Sequence, residues 1–134
     1  MAKMGSFNFS EFKKFRGNLK EMHKAFPGVM RECVIELANR LLAKVVPRTP
    51  ADTGELRRSW TIGQVVITDA GAEIEVFNPV YYSAYIEYGH RTANHQGWVE
   101  GRFMMKISNQ ELKRELPGIM KRKMDRFITR YLGR

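Results

Sequence analysis

Apolar residues recur every three or four positions over the first 45 residues, a spacing that predicts amphipathic helices. Pro27 predicts a boundary or a kink between two such helices, and Pro47 predicts the end of the second. We therefore expect an N-terminal helical arm within residues 1–26, with Ser10 as its N-cap, and a core of residues 27–134 that begins with a buried helix; both belong to one domain. The first stripe consists of Phe12, Phe15, Leu19, Met22 and Phe26, and the second of Val29, Met30, Val34, Leu37, Ala38, Leu41, Leu42 and Val45.

A third apolar stripe predicts a C-terminal helix with a strongly basic face. Phe103, Met104 and Ile107 lead into this helix, and Pro117 lies at or near a break in it. The apolar face consists of Leu112, Leu116, Ile119, Met120, Phe127, Ile128 and Tyr131. The opposite face consists of Lys113, Arg114, Lys121, Arg122, Lys123, Arg126 and Arg130.

Between these helices the hydrophobic period changes from 3.6 to two, which predicts a β-hairpin. Residues 60–68 are rich in β-branched side chains, residues 69–71 form a short turn, and residues 73–77 alternate glutamate with apolar residues. Gly63 suggests a bulge or the close approach of another backbone. The fold class we expect is α+β, with a small antiparallel sheet packed against a long central helix and a C-terminal helix, and with an extra N-terminal helix.

The transition from helix to sheet falls in residues 49–60. Turn-forming residues follow the two prolines, and we expect the chain after them to be extended, with Leu56, Arg58 and Trp60 on one side. The residues to which we assign this structural turn are Asp52, Thr53, Gly54, Arg57 and Trp60.

Four tyrosines lie within residues 81–88, a segment that fits a short helical turn. Tyrosine rings either cover a small core or form an interface, and the sequence leaves both open. Residues 91–101 follow with the composition of a loop that is long for a compact domain, so we expect the loop to be mobile or used in binding.

The charge of this chain is distributed unevenly. The 134 residues have a formal net charge of +9. Residues 1–50 carry ten Lys/Arg and four Asp/Glu, residues 51–100 three and seven, and residues 101–134 ten and three. Basic ends and an acidic middle favour nucleic acid, acidic proteins or a second copy of the chain as partner. The single cysteine, Cys33, falls among apolar helix positions, which favours a packing role over a reactive thiol and fits a reducing compartment.

No arrangement of residues typical of an enzyme is found in the sequence, so we expect neither catalysis nor a cofactor. His90 and His95 lack the partners of a metal site. Neither of the glycine motifs that bind phosphate, GxxxxGK(S/T) and GxGxxG, occurs in the sequence. No apolar run is long enough to span a membrane. The basic C-terminal helix, with Trp98 or the tyrosines stacking on bases, leaves a small DNA-binding protein as the alternative function.

Three runs, in their order and spacing, resemble the tail-completion, or head–tail joining, proteins of long-tailed phages and prophages. They are TPADTGELRRSW at residues 49–60, VFNP at 76–79 followed by YSAYIEYGHR at 82–91, and GWVEGRFM at 97–104. The resemblance extends over roughly residues 27–130.

The resemblance implies a structural virion protein without catalytic residues, assembled in the host cytoplasm. It also implies a homo-oligomeric ring, expected to be a hexamer, between a head-connector or stopper protein and a tail-tube or tail-terminator protein, with non-specific contact with DNA in the channel. The residues that we expect at subunit or partner interfaces are Tyr81, Tyr82, Tyr85, Glu87, Tyr88, Arg91, Trp98, Lys121, Arg122, Lys123 and Arg126.

Overall fold

Two long helices lie side by side and support the remaining elements. The structure is a computed structural model that describes residues 9–51 and 54–133. Its helices are α1 (Phe9–Arg48), α2 (Glu55–Arg58), α3 (Ser83–Tyr88) and α4 (Met104–Leu132). Its strands are β1 (Thr61–Ile62), β2 (Val66–Thr68), β3 (Gly71–Glu73), β4 (Val76–Phe77), β5 (Gly89–Arg91) and β6 (Trp98–Glu100). The predicted α+β class is confirmed, and the strands of the described residues form antiparallel pairs instead of one continuous sheet.

α1 is one helix where the sequence predicts two. It runs for 40 residues, roughly 60 Å at 1.5 Å per residue, and continues through Pro27, so a helix boundary at that proline is wrong. Ser10 lies inside the helix instead of capping it. Packing of α1 against α4 offsets the hydrogen bond lost at Pro27: the ring of Phe26 lies 5.9 Å from that of Phe127. α4 continues through Pro117 in the same way.

α4 lies antiparallel to α1, and charged side chains link the C-terminal end of α1 to the N-terminal half of α4. Arg48 Nη1 donates to Ser108 Oγ at 2.9 Å, and Arg48 Nη2 lies 2.5 Å from Glu111 Oε2. Lys44 Nζ lies 3.1 Å from Glu115 Oε1 and 3.6 Å from Glu111 Oε1. Because the charged groups of this network are only partly buried, their ion pairs fix the relative position of the helices more than they add to stability.

This network predicts that part of the stability is lost in acid. The hydrogen bond from Arg48 holds the pKa of Glu111 below its ordinary value of 4.5. A carboxyl group with a lowered pKa in the folded state stabilises the fold above the unfolded pKa, and this contribution disappears as the pH falls through the folded pKa. We expect Glu111→Gln to lower the melting temperature at pH 7 and to have a progressively smaller effect as the pH falls below about 4.5. Thermal unfolding followed by circular dichroism between pH 7 and pH 2 measures this difference. Glu100→Gln is the control; an equal effect of Glu111→Gln at all pH values would contradict the prediction.

The predicted hairpin is confirmed as one ribbon made of two short strand pairs. β1 pairs with β4, β2 pairs with β3, and residues 69–70 form the turn. Gly63 lies between the pairs, and its N–H donates to the carbonyl oxygen of Glu75 at 2.8 Å. The predicted alternation is present: Ile74 and Val76 are partly buried, and the intervening Glu75 is exposed. The ribbon therefore presents its apolar face to α1 and its glutamates to solvent.

The core lies where α1, α2 and α4 meet. Val45, Leu56 and Met104 are buried together there. The partly buried side chains around them are Leu42, Val46, Trp60, Val80, Tyr82, Ile86 and Met105. Cys33 is buried farther along α1, and burial raises the pKa of its thiol. A buried thiol with a raised pKa agrees with a packing role for Cys33.

The segment that follows the first turn is helical where the sequence predicts an extended chain. Gly54 adopts a left-handed conformation with φ of 76°, and the N–H of Arg58 donates to its carbonyl oxygen at 3.0 Å. The resulting turn, α2, buries Leu56 in the core. An alternating pattern over so few residues is compatible with a strand or a helical turn, and packing of Leu56 selects the helix.

Arg57 and Trp60 close the C-terminal end of α1, where helix carbonyl groups lack partners within the helix. The guanidinium group of Arg57 donates to the carbonyl oxygen of Thr49 at 2.7 and 3.1 Å. Trp60 Nε1 donates to Thr49 Oγ1 at 2.8 Å, and this hydroxyl donates to the carbonyl oxygen of Val45 at 2.7 Å. Asp52 and Thr53, assigned to the same turn, lie outside the described residues.

Candidate interaction surface

Asn78 fixes the start of α3 to the core. Its Nδ2 donates to the carbonyl oxygen of Leu56 at 2.7 Å, and its Oδ1 accepts the N–H of Val80 at 3.1 Å. The hydroxyl of Ser83, the first residue of α3, donates to the carbonyl oxygen of Asn78 at 3.3 Å. The asparagine thus joins α2 to α3, which has the short helical form that the sequence predicts.

The tyrosines of this segment separate into one core ring and three surface rings. Tyr82 packs against the core, and its hydroxyl donates to Glu55 Oε2 at 3.2 Å. Tyr81, Tyr85 and Tyr88 are 88%, 57% and 66% exposed. Of the two roles that the sequence left open, Tyr82 has the one of covering the core, and the other three rings are exposed to solvent.

The segment 91–101 contains a strand pair, so the prediction of a long loop is wrong in part. β5 pairs with β6, and Thr92 and Gly97 close the turn between them through an N–H to carbonyl bond of 3.0 Å. Gly89 has φ of 95°, and a Cβ atom at this position would lie 2.9 Å from two ring atoms of Trp98. The glycine lets the indole lie across the backbone of the neighbouring strand, while 58% of the Trp98 side chain stays exposed.

We call the four exposed rings, those of Tyr81, Tyr85, Tyr88 and Trp98, the aromatic surface. Tyr85 and Trp98 line the same open groove, together with His90, whose ring centroid lies 6.0 Å from that of Tyr85. Tyrosine and tryptophan are enriched in protein interfaces because they bury large apolar areas at low cost in side-chain entropy. The aromatic surface is therefore the strongest candidate for binding another protein.

Glu87 supports this surface from below and does not belong to it. Its side chain is buried, and its two carboxylate oxygens accept the N–H groups of Met105 at 2.9 Å and Lys106 at 3.0 Å. The carboxylate thereby caps the first turn of α4, and its negative charge interacts favourably with the positive end of the helix dipole. Both carboxylate oxygens of Glu87 are therefore engaged within the subunit, and its expected place in an interface stays a prediction.

Lys123 is likewise engaged within the subunit, unlike its neighbours on the basic face of α4. Its Nζ lies 2.8 Å from Glu36 Oε1 on α1, and this contact holds the pKa of Glu36 below its ordinary value. Lys121 makes only an exposed pair with a neighbour on α4. Arg122 and Arg126 are exposed and form no ion pair within the described part of the chain. Of the basic residues of α4 expected at an interface, these two arginines are the most available.

Three acidic side chains of the middle segment lie apart from the tyrosines. Asp69, Glu73 and Glu75 are exposed on the far part of the ribbon, where Glu73 and Glu75 line the same groove as Val34 and Leu37 of α1. The aromatic surface instead adjoins the C-terminal end of α1, where the core lies. The acidic, tyrosine-rich middle that the sequence suggests is therefore not one surface: these three side chains lie on the ribbon, while Glu55 and Glu87 lie with the tyrosines.

The described residues offer no cluster suited to a metal and no membrane span. His90 and His95 border the aromatic groove together with Arg91, and the Nδ1 atom of His90 lies 2.8 Å from the carbonyl oxygen of Arg91. No group of three or more His, Cys, Asp or Glu side chains in residues 9–51 and 54–133 is placed to hold a metal ion. Among these same residues, no helix is both long and apolar enough to cross a membrane.

Sequence reasoning did not identify the supporting roles of Asn78, Glu87 and Gly101. A carboxylate that caps a helix 17 residues farther along the chain has no local signature, since the usual capping box places both partners within four residues. Gly101 lies against the backbone of Glu87 and Tyr88, and only its position directly before a predicted helix hints at a tight junction.

One comparison with known proteins returned a match. The family model described as "Bacteriophage HK97-gp10, putative tail-component" matches residues 13–89, which is more than half of the chain. The matched segment contains most of α1, the ribbon and α3, and it ends before Trp98 and α4. No curated protein and no solved structure matches the chain.

Proposed function

The chain belongs to the HK97-gp10-like family of phage tail components, and on this basis we propose that it is the tail-completion, or head–tail joining, subunit of its virion. In this proposal copies of the chain form a ring, with six as the expected number. The ring connects a head-connector or stopper protein to a tail-tube or tail-terminator protein. The subunit acts by binding other proteins and catalyses no reaction.

The aromatic surface is the observation that carries this proposal. Its rings are exposed in the isolated subunit although they are large and partly apolar, and burying them against a partner is favourable by about 25 cal/mol per Å² of apolar area. The support beneath them is rigid because Asn78 and Glu87 fix both ends of α3 through hydrogen bonds. A rigid set of exposed rings loses little conformational entropy on docking.

The basic face of α4 fits a place beside the DNA channel. The positive charges of Arg122 and Arg126, which are exposed, would reduce electrostatic repulsion between the channel wall and the phosphates of passing DNA. Such contacts do not depend on base sequence. Lys123 would contribute less, since it already pairs with Glu36. Charge reversal at Arg122 therefore tests a role of this face more cleanly than charge reversal at Lys123, which would also break a contact between α1 and α4.

We expect Trp98→Ala to leave the fold intact and to impair attachment to tails. The indole is 58% exposed, so its removal should lower the free energy of unfolding by less than about 1 kcal/mol. Loss of a central aromatic contact weakens protein binding by roughly 2 kcal/mol, a factor of about thirty in affinity. Light scattering of the unmodified protein and of the variant measures oligomeric state. The same measurement after addition of purified tails that lack this protein measures attachment.

Val99→Ala provides the matched control, because Val99 is a neighbour of Trp98 in β6 whose side chain points to the opposite side of the strand pair. It should attach like the unmodified protein. Full attachment of Trp98→Ala would remove the aromatic surface from the proposal. Unfolding of this variant would assign Trp98 to the fold instead.

The exposed basic residues of α4 also favour a second candidate, a small DNA-binding protein. Binding to a random-sequence duplex, measured by fluorescence anisotropy between 50 and 200 mM salt, separates the two. A protein that neutralises several phosphates loses affinity steeply over about this range. Steep DNA binding without attachment to tails would favour the second candidate.

A further inference from the structure

The first turns of α1 project beyond the end of α4. Antiparallel packing places Phe26 opposite Phe127, and α4 ends at Leu132, five residues farther on. Residues 9–20 of α1 therefore extend past the last turn of α4, over about 18 Å at 1.5 Å per residue. We call residues 9–20 the projecting segment; the predicted helical arm corresponds to it and to the next turns of the same helix.

The projecting segment has an apolar stripe bordered by basic residues. Phe15 and Leu19 lie one turn apart on one face and are 49% and 42% exposed. By helical periodicity, Lys14 and Arg16 flank this stripe on either side. Lys14 and Arg16 are exposed and form no ion pair with any described residue. Most helical stability in proteins comes from packing of the apolar face, so a partner for the stripe would stabilise these terminal turns of α1.

A groove of complementary character lies between α1 and the far end of the ribbon. Val34 and Leu37 of α1 and Val66, Ala72 and Ile74 of the ribbon line the groove. Val66 is 52% exposed although it is apolar. Glu73 and Glu75 stand at the rim, exposed and without an ion pair among the described residues. The groove thus combines an apolar floor with an acidic rim.

The projecting segment cannot reach this groove in its own subunit. Phe15 and Val34 belong to one continuous helix and are 19 residues apart, which places them about 28 Å from each other along its axis. Only another molecule can therefore bring such a stripe to the groove. Every copy of the chain carries both halves of the contact, the basic-edged stripe and the acidic-edged groove.

We propose that the projecting segment of one copy docks into the α1–ribbon groove of the next. Phe15 and Leu19 pack on the apolar floor, and Lys14 and Arg16 face Glu73 and Glu75. The two contacting surfaces differ, so the contact is heterologous and leads from copy to copy until the rotation closes a ring. The proposal rests on the ring of the proposed function and names the contact that links its subunits.

Charge reversal with rescue tests this contact. The Lys14→Glu/Arg16→Glu variant and the Glu73→Lys/Glu75→Lys variant should each shift the midpoint of self-association, alone or on tails, at least about tenfold to higher concentration. Combining all four changes restores opposite charges and should return the midpoint to within about threefold of the original. Sedimentation velocity measures association of the free protein, and light scattering with purified tails measures it on tails. Lys113→Glu/Arg114→Glu, on the outer face of α4, is the control for net charge, and circular dichroism checks that each variant is folded.

Leu19→Ser gives an independent arm, because it removes part of the apolar stripe without changing charge. It should weaken association in the same direction. If the unmodified protein forms a ring on tails and the two double variants do so equally well, the contact is wrong and the proposed function stands. If the unmodified protein self-associates and the combined variant is rescued as expected, but the protein never attaches to tails, the contact stands and the proposed function fails. A protein that stays monomeric under both conditions overturns both.

Discussion

Replacement of Gly101 by alanine is expected to destabilise the protein by roughly 3 kcal/mol or more. A Cβ atom at this position would overlap the carbonyl oxygen of Glu87 and would lie 2.6 Å from the carbonyl carbon of Tyr88. These are backbone atoms, so no side-chain rotation relieves the overlap. They are also held in place, because the N–H groups of Arg102 and Phe103, the next two residues, donate to the carbonyl oxygens of Ile86 and Glu87 at 2.8 and 3.0 Å. Overpacking at such a site costs about 1–3 kcal/mol, and more where the backbone must move.

Urea unfolding monitored by circular dichroism measures this effect, and the chain contains a matched control. Gly17→Ala introduces the same methyl group into α1, where nothing lies within 4 Å of the added atom. Because alanine has the higher helix propensity, Gly17→Ala should stabilise the protein by up to about 1 kcal/mol. Equal stability of Gly101→Ala and the unmodified protein would show that the junction between β6 and α4 has room for a Cβ atom and is less tightly packed than these distances indicate.

The second large effect is expected for Glu87→Ala, with a loss of about 3 kcal/mol in the free energy of unfolding. The substitution removes a charged acceptor from two N–H groups at the start of α4, those of Met105 and Lys106. Hydrogen bonds to charged groups contribute roughly 1.5–3 kcal/mol each, and the loss is partly reduced when water reaches the freed donors. Glu87→Gln keeps one acceptor and should fall between the alanine variant and the unmodified protein.

Thermal and urea unfolding of the three proteins tests this order, with Glu100→Ala as the control. Glu100 is exposed on β6 and forms no ion pair among the described residues, so its removal should change stability by less than about 0.5 kcal/mol. If Glu87→Ala and Glu100→Ala had the same small effect, the carboxylate would not be the cap of α4. Glu87 would then be free for the interface role that the sequence suggested.

The two variants concern the same junction, which connects the aromatic surface to the helical pair. Glu87 and Gly101 bring the end of α3 against the start of α4, while Tyr85 and Tyr88, on the same short helix, face outward. A protein that must present exposed rings to a partner needs such support, because a loose surface would lose conformational entropy on binding. Damage at this junction should therefore weaken attachment to tails even where the exposed rings are unchanged.

Local patterns predicted the elements that keep one buried face and one exposed face along their whole length. The C-terminal helix, the ribbon and the short helix of tyrosines were predicted correctly, because their apolar periods are long or their turn signals strong. The errors fall at prolines and in short segments. Pro27 does not end α1, since contacts such as that between Phe26 and Phe127 hold the helix together across it.

The candidate surface was predicted in part. The four tyrosines were identified because so many large amphipathic rings in a short segment are unusual, and Trp98 was identified with the segment that follows. The structure exposes all of these rings except Tyr82. Two of the charged residues make contacts within the subunit that the sequence did not reveal. Glu87 and Lys123 resemble any other charged side chain in the sequence, yet one caps a helix and the other pairs across two helices.

The sequence alone therefore determined the α+β class, the approximate elements and, through its motifs, the family of tail components to which the chain belongs. These follow from periodicity and residue type, which are local properties. Only the tertiary structure decided which charges are engaged within the subunit, that the acidic residues of the ribbon lie apart from the tyrosines, and that α1 extends beyond α4. Such outcomes depend on contacts between residues distant in the chain, and the energy of these contacts outweighs the local preferences from which a sequence is interpreted.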